Sequence, residues 1–211
     1  MKYKNIIWDW NGTIIDDTAV AFEATNILLK KYGYPTISLE FYRDNIDTPV
    51  VNFYKKIFDL SKQSMETLDK EWGVLYNKLS KKTGLHKDVV KALDYFRKEN
   101  CRQIILSAFK TAEITKYAES LNVKHYFVDI LGTEGIAMES KSVRGKRYFQ
   151  ENYFDLKETL YIGDTLHDYE TAQQLEIDCI LVSCGQQSPK LLNKCDTTVC
   201  NSFTEFNTMF N

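Results

Sequence analysis

The sequence predicts an α/β protein: a doubly wound parallel sheet, interrupted near its start by an all-helical insertion. Three observations carry this. Short apolar runs recur along the chain and alternate with stretches of helical periodicity. The runs are apolar throughout rather than at every second residue, as in strands covered on both faces. The interval from Asp17 to Leu85 carries helical patterns and no convincing strand.

Residues 6–10 read as the first strand. Helix-like stretches follow at residues 19–31, 49–58 and 61–81, and Leu39, Tyr42 and Ile46 mark a short helix between them. Lys81-Lys82-Thr83-Gly84 is the expected return hinge. A helix over 87–99 is predicted from Val89, Val90, Leu93 and Phe96 at helical spacing. Strands follow at 103–107, 126–131, 159–163 and 178–182, with helices at 111–121 and 143–152 among them. Ser188-Pro189 opens a short helix, and residues 197–200 and a closing helix complete the chain. The expected division is therefore a core of residues 1–16 and 86–211, with residues 17–85 as a helical cap.

The chain has 211 residues, enough for one sizeable core with an accessory unit. Its hydrophobic content of 44% is ordinary for a globular protein, and its net charge of -2 points to neither nucleic acid nor an anionic membrane as partner. Five cysteines cannot all pair within the chain, and their Cys-x4-Cys spacings have no histidine nearby, so reduced thiols are expected rather than a metal site. The opening MKYKNIIWDW lacks a signal-peptide core, and no run has transmembrane length; the expected location is the cytoplasm. Oligomeric state is not readable.

Ligands of such sheets bind beyond the carboxyl ends of the strands. Asp9 ends the first strand, Ser107 the second, and Gly163-Asp164-Thr165-Leu166-His167-Asp168 follows the fourth. Lys141 stands between two serines ahead of that strand. An aspartate at a strand end is commonly a cap or turn residue, and a lone lysine is commonly solvated. Together, however, three acids converging on one mouth repel each other unless a cation joins them, and hard carboxylate oxygens suit magnesium. Asp164 and Asp168 are four apart, so a helix beginning at Thr165 brings both to one ion. Ser107 and Lys141 suit phosphate oxygens, and Asp9 suits covalent attack on phosphorus.

These residues resemble the motifs of the haloacid dehalogenase-like hydrolases, and among them the phosphoglycolate-phosphatase-like group with a helical cap on a Rossmann-like core. WDWNGT is similar to the first motif, usually Asp-x-Asp-Gly-Thr; Ile105-Leu106-Ser107 to the second; Lys141 to the third; GDTLHD to the fourth. The resemblance implies a magnesium-dependent phosphatase for a small phosphorylated metabolite. Asp9 would be the nucleophile, Ser107 and Lys141 would hold the transferring phosphoryl group, and magnesium would be bound by Asp9, the Asn11 carbonyl and Asp164, with Asp168 close behind. Lys146 is a rival for the lysine role, though it reads as helix surface.

Asn11 departs from the pattern. The family's phosphatases carry an aspartate there that protonates the leaving oxygen and then activates water; an amide exchanges no proton near neutral pH. That help is typically worth roughly 10²–10⁴ in rate. Three readings follow: a phosphatase, slow or suited to good leaving groups, with His167 or Asp16 as conceivable helpers; other family chemistry, such as phosphonate or carbon–halogen cleavage; or a phospho-ligand binding protein with little turnover. The Asn11-Gly12 pair is also of the type prone to deamidation. In the cap, Arg43 could meet a substrate carboxylate or be a solvated helix-end residue, and the aromatic residues read as packing.

Overall fold

The computed structural model describes residues 2–134 and 139–210. Six strands form one parallel sheet: β1 (Asn5–Trp8), β2 (Arg102–Lys110), β3 (Asp129–Thr133), β4 (Thr159–Gly163), β5 (Asp178–Val182) and β6 (Thr198–Cys200), in spatial order β3-β2-β1-β4-β5-β6. Every neighbouring pair is parallel, with Trp8 opposite both Ile105 and Ile162. The order reverses between β1 and β4, which opens the crevice in which such sheets bind ligands.

Helices are α1 (Thr18–Lys31), α2 (Leu39–Asn45), α3 (Val51–Ile57), α4 (Met65–Leu79), α5 (Val89–Lys98), α6 (Thr111–Ser120), α7 (Lys141–Asn152), α8 (Leu166–Leu175), α9 (Pro189–Leu192) and α10 (Phe203–Thr208). The strand period of two splits the core into layers. Ile6 and Trp8 of β1, Ile105 of β2 and Leu160 and Ile162 of β4 pack with Leu93 and Phe96 of α5, Ile114 of α6 and Phe203 and Phe206 of α10. The intervening Ile7, Ile104, Leu106 and Tyr161 pack on the other face with Tyr148 and Phe149 of α7 and Ala172 and Leu175 of α8. Both faces being covered explains why the strands lack polar alternation.

Helices α1–α4 gather around a hydrophobic cluster of their own, with Leu28, Leu29, Phe53, Leu68 and Tyr76 at its centre. The chain leaves and re-enters the sheet through two adjacent antiparallel segments. Asp16 N–H donates to the Gly84 carbonyl (3.0 Å), and His86 N–H to the Ile14 carbonyl (3.0 Å).

Strand boundaries differ from expectation by two residues or more in three places. The first strand stops at Trp8, because Trp10 turns back to receive the N–H groups of Ile14 and Ile15. β2 continues past Ser107 to Lys110, with a register shift against β3 between Leu106 and Lys110. Residues 126–131 are not one strand: Lys124–Tyr126 is a 3-10 turn, and β3 begins only at Asp129. Tyr126 instead points its hydroxyl at Asp94 (2.9 Å), with the Arg97 guanidinium over its ring.

Candidate active site

Asp9 follows β1, and its N–H donates to the Ile162 carbonyl of β4 (2.9 Å), which anchors it at the crevice. Asp164 follows β4. Asp168 sits in the first turn of α8, where Thr165 is the N-cap and the pair forms a reciprocal capping box. One oxygen from each of Asp9, Asp164 and Asp168 lies within 4.8 Å of the others, and all three residues are buried. Lys141, first residue of α7, places its ammonium 2.6 Å from Asp9 Oδ1 and 2.7 Å from Asp168 Oδ1. Lys146 is exposed on the same helix.

Electrostatics follow from this crowding. Burial drives the Asp9 carboxyl up to about 7, with Lys141 pulling against it. Burial, then the charges of Asp9 and Asp168, push Asp164 well above the ordinary carboxylate range. Burial also opposes the charge on Asp168, but Lys141 and Thr165 outweigh it and hold that carboxyl low. Lys141 is likewise desolvated, yet the two carboxylates raise its affinity for the proton. Three buried carboxylates thus face one ammonium, an excess of two negative charges when all are ionised. A divalent cation with a preference for oxygen ligands matches both the charge and the donor set.

The individual oxygens divide the labour. Asp168 Oδ2 takes the Thr165 hydroxyl (2.6 Å) and backbone N–H groups, while Oδ1 meets Lys141 and the Tyr161 hydroxyl. Asp168 is therefore built to hold α8 and Lys141. Asp164 accepts from the Thr13 hydroxyl (2.7 Å) and the Gln186 N–H (2.6 Å). Two glycines make room for it: a Cβ at Gly12 or Gly185 would stand 2.2 Å from Asp164 Oδ2. Gly12 also adopts φ +77°, which disfavours any side chain.

Ser107 is buried just beyond the β2 residue that pairs with Trp8. Its carbonyl accepts from Arg144 Nη2 (2.6 Å) and its hydroxyl from the Phe109 N–H (3.1 Å). Arg144, on α7, is a buried site residue that sequence reasoning passed over; only its helical offset of three from Lys141 hinted at it.

Asn11 lies outside the carboxylate cluster. Its Nδ2 donates to Asp17 Oδ2 (2.7 Å) and to the Tyr76 hydroxyl of α4 (2.9 Å). Asp17 is almost fully buried and also accepts from the Gly12 N–H, the Tyr76 hydroxyl and Gln186 Nε2. The neighbouring Asp16 is exposed and anchors the junction through its backbone. His167 is half-buried, and burial, with Lys141 adding to it, lowers its proton affinity.

The segment 183–188 joins these groups. Gln186 contacts Asp164, Asp17 and the Tyr42 hydroxyl of α2 (3.0 Å). Arg43 donates to the carbonyls of Ser183 (2.5 Å) and Gln187 (3.1 Å). Nη2 of that guanidinium fastens the helical unit to the core, while its buried Nε has no partner among the described residues.

A family model of haloacid dehalogenase-like hydrolases matches residues 6–182. The chain belongs to this family. Among solved structures, a haloacid dehalogenase-like family hydrolase from Streptococcus pneumoniae has a TM-score of 0.84 at 19% identity, with 100% of this chain and 99% of that one covered. A predicted phosphoglycolate phosphatase from Haemophilus somnus has a TM-score of 0.79 at 13% identity, covering 100% and 99%. CbbY from Rhodobacter sphaeroides, in complex with phosphate, has a TM-score of 0.72 at 12% identity, covering 97% and 96%. At these identities the likeness is one of fold. A comparison with curated proteins returned no match.

Proposed function

We propose that this haloacid dehalogenase-like hydrolase is a magnesium-dependent phosphatase that acts on a small phosphorylated metabolite through an aspartyl-phosphate on Asp9. The observation that carries the reading is the set of three buried carboxylates around a single ammonium at the switch point of the sheet. Asp9, Asp164 and the Asn11 carbonyl would hold magnesium, which when bound offsets the negative charge of the transferring phosphoryl group. Asp9 attacks phosphorus. Lys141 and the Ser107 hydroxyl hold the phosphoryl oxygens, and Asp168 keeps Lys141 charged and in place. Residues 17–85 act as a cap, fastened through Tyr42, Arg43 and Tyr76, that excludes water from the site. The phosphate complex and the predicted phosphoglycolate phosphatase among the structural neighbours support the substrate class.

A cytoplasmic location is part of the same proposal, supported by five unpaired cysteines. Among the described residues no helix is long and apolar enough to cross a membrane.

A phospho-ligand binding protein with little turnover is the second reading. It is favoured by Asn11, whose amide is committed to Asp17 and Tyr76. Phosphate release from p-nitrophenyl phosphate and acetyl phosphate decides between them, with and without magnesium, in the encoded protein and in Asp9→Asn and Asn11→Asp, with residue 11 checked by peptide mass. Magnesium-dependent release that is lost in Asp9→Asn establishes the phosphatase. Release by Asn11→Asp alone establishes a site that binds without turning over.

A further inference from the structure

Asn11 is the polar side chain nearest in sequence to Asp9, and its amide is held in one orientation. Nδ2 gives one proton to Asp17 Oδ2 and the other to the Tyr76 hydroxyl. The flipped amide would set Oδ1 against a carboxylate oxygen, and neither donates. Asp17 cannot turn away to relieve that clash. It is 1% exposed, and its oxygens also take the Gly12 N–H (2.8 Å), Gln186 Nε2 (3.0 Å) and the Tyr76 hydroxyl (2.5 Å). Asn11 Oδ1 takes no hydrogen bond among the described residues, and Asn11 is only partly buried. An acceptor is therefore all that position 11 has left to offer.

Four other proton-bearing side chains around the carboxylates are committed elsewhere, which leaves the half-buried His167 and the Ser107 hydroxyl. Lys141 bridges Asp9 and Asp168. The Tyr161 hydroxyl lies between the Leu106 carbonyl and Asp168. The Tyr76 hydroxyl and the Thr13 hydroxyl each donate to a buried carboxylate.

Resting on the phosphatase reading above, we propose that Asn11, locked by Asp17 as an acceptor, makes this enzyme selective for phosphate compounds whose leaving oxygen departs unprotonated: acyl, enol and aryl phosphates rather than alkyl phosphate esters. In the first step an Asp9 carboxylate oxygen bonds to phosphorus as the bond from phosphorus to the leaving oxygen breaks. That oxygen keeps the electron pair and departs as an anion, a weakly basic carboxylate, enolate or phenolate; an alkoxide would be strongly basic. In the second step a water oxygen bonds to phosphorus and the Asp9–phosphorus bond breaks, returning its pair to the carboxylate. Asn11 Oδ1 accepts a hydrogen bond from that water and orients it, while its proton passes to solvent. Asp17 is the positioning residue.

The test is kcat/KM with magnesium for acetyl phosphate, p-nitrophenyl phosphate, phenyl phosphate and glycerol 3-phosphate, in the encoded protein, Asn11→Asp and Asp17→Asn. This parameter reports the steps through loss of the leaving group. The expected result is phenyl phosphate slower than p-nitrophenyl phosphate by roughly 10² or more in the encoded protein. The gap between p-nitrophenyl phosphate and glycerol 3-phosphate should narrow by roughly 10²–10⁴ in Asn11→Asp, and in part in Asp17→Asn, where the amide is free to turn its donor outward. A smaller ratio between the two aryl phosphates, with turnover present, overturns the inference and leaves the phosphatase reading standing. No phosphate from any of the four compounds overturns both. If Asn11→Asp fails to fold, with a second carboxylate against Asp17, the aryl ratio of the encoded protein decides alone.

Discussion

Lys141 and Lys146 lie on one helix, five residues apart, and only the first reaches the carboxylates. Lys141→Ala should lower turnover by roughly 10² or more, the cost of losing one preorganised donor to the transferring group. Lys146→Ala, at an exposed position, should leave it unchanged; phosphate-release assays on both variants check this. Gly185 offers a second test at this scale. A Cβ there meets Asp164 Oδ2 at 2.2 Å and the Gly12 carbonyl at 2.3 Å, so Gly185→Ala must push the carboxylate aside. Its expected signature is weaker magnesium affinity with the fold retained, read by titrating activity against magnesium and by circular dichroism. The positions of Asp9, Lys141, Asp164 and Asp168 follow from local pattern, since each stands just beyond a strand or in the first turn of a helix, whereas Ser107 lies within β2 and not at its end. Asp17, Arg144 and Gln186 were not legible in this way. Their partners are distant along the chain, Gln186 lying 169 residues from Asp17, and nothing local marks such a contact.

At the scale of elements, β1, β4 and β5 read directly from the sequence, since a buried parallel strand is a short apolar run between turns. β3 did not: it is the edge of the sheet, half-exposed, and the apolar residues before it pack from a 3-10 turn instead. The junction between α2 and segment 183–188 is also tertiary in origin. Arg43→Ala removes two charge-assisted bonds there, at a cost of about 1.5–3 kcal/mol. Faster hydrogen exchange confined to α2 and residues 183–188 would show that the clamp is local. His86, where the chain re-enters the core, supplies a pH test. Burial lowers its proton affinity from the ordinary 6.5, against opposing pulls from Asp16, the Gly12 carbonyl and Asp17. Its Nε2 is buried without a hydrogen-bond partner among the described residues, and its ring lies 6.1 Å from that of Phe203. The unfolded chain therefore binds this proton first. The stability held by neutral His86 is complete above the unfolded value and declines as pH falls toward the folded one. His86→Phe should lose less stability than the encoded protein between about pH 7.5 and about pH 5, measured by urea unfolding of both.

For the whole molecule, a divalent cation at the carboxylate cluster would link stability to metal binding. Residues 9, 164 and 168 meet only in the folded chain, so a divalent cation held there binds the native state and not the unfolded one. Magnesium at 100 times its dissociation constant should then stabilise the protein by about 2.7 kcal/mol. For a chain of 211 residues that corresponds to a rise in Tm of roughly 5–10 °C. Asp164→Asn separates this effect from simple damage. Burial and the neighbouring carboxylates already disfavour the charge on Asp164, and its acceptor bonds from Thr13 and Gln186 can be kept by an amide oxygen on only one side. The variant should therefore melt near the encoded protein in chelator, within about 1–3 kcal/mol for the one mismatched bond, yet show no rise with magnesium. Scanning calorimetry of both proteins, with magnesium and with EDTA, reads the two effects separately. A Tm of the encoded protein indifferent to magnesium would mean that Lys141 alone balances the cluster, with two of the three carboxyls holding their protons.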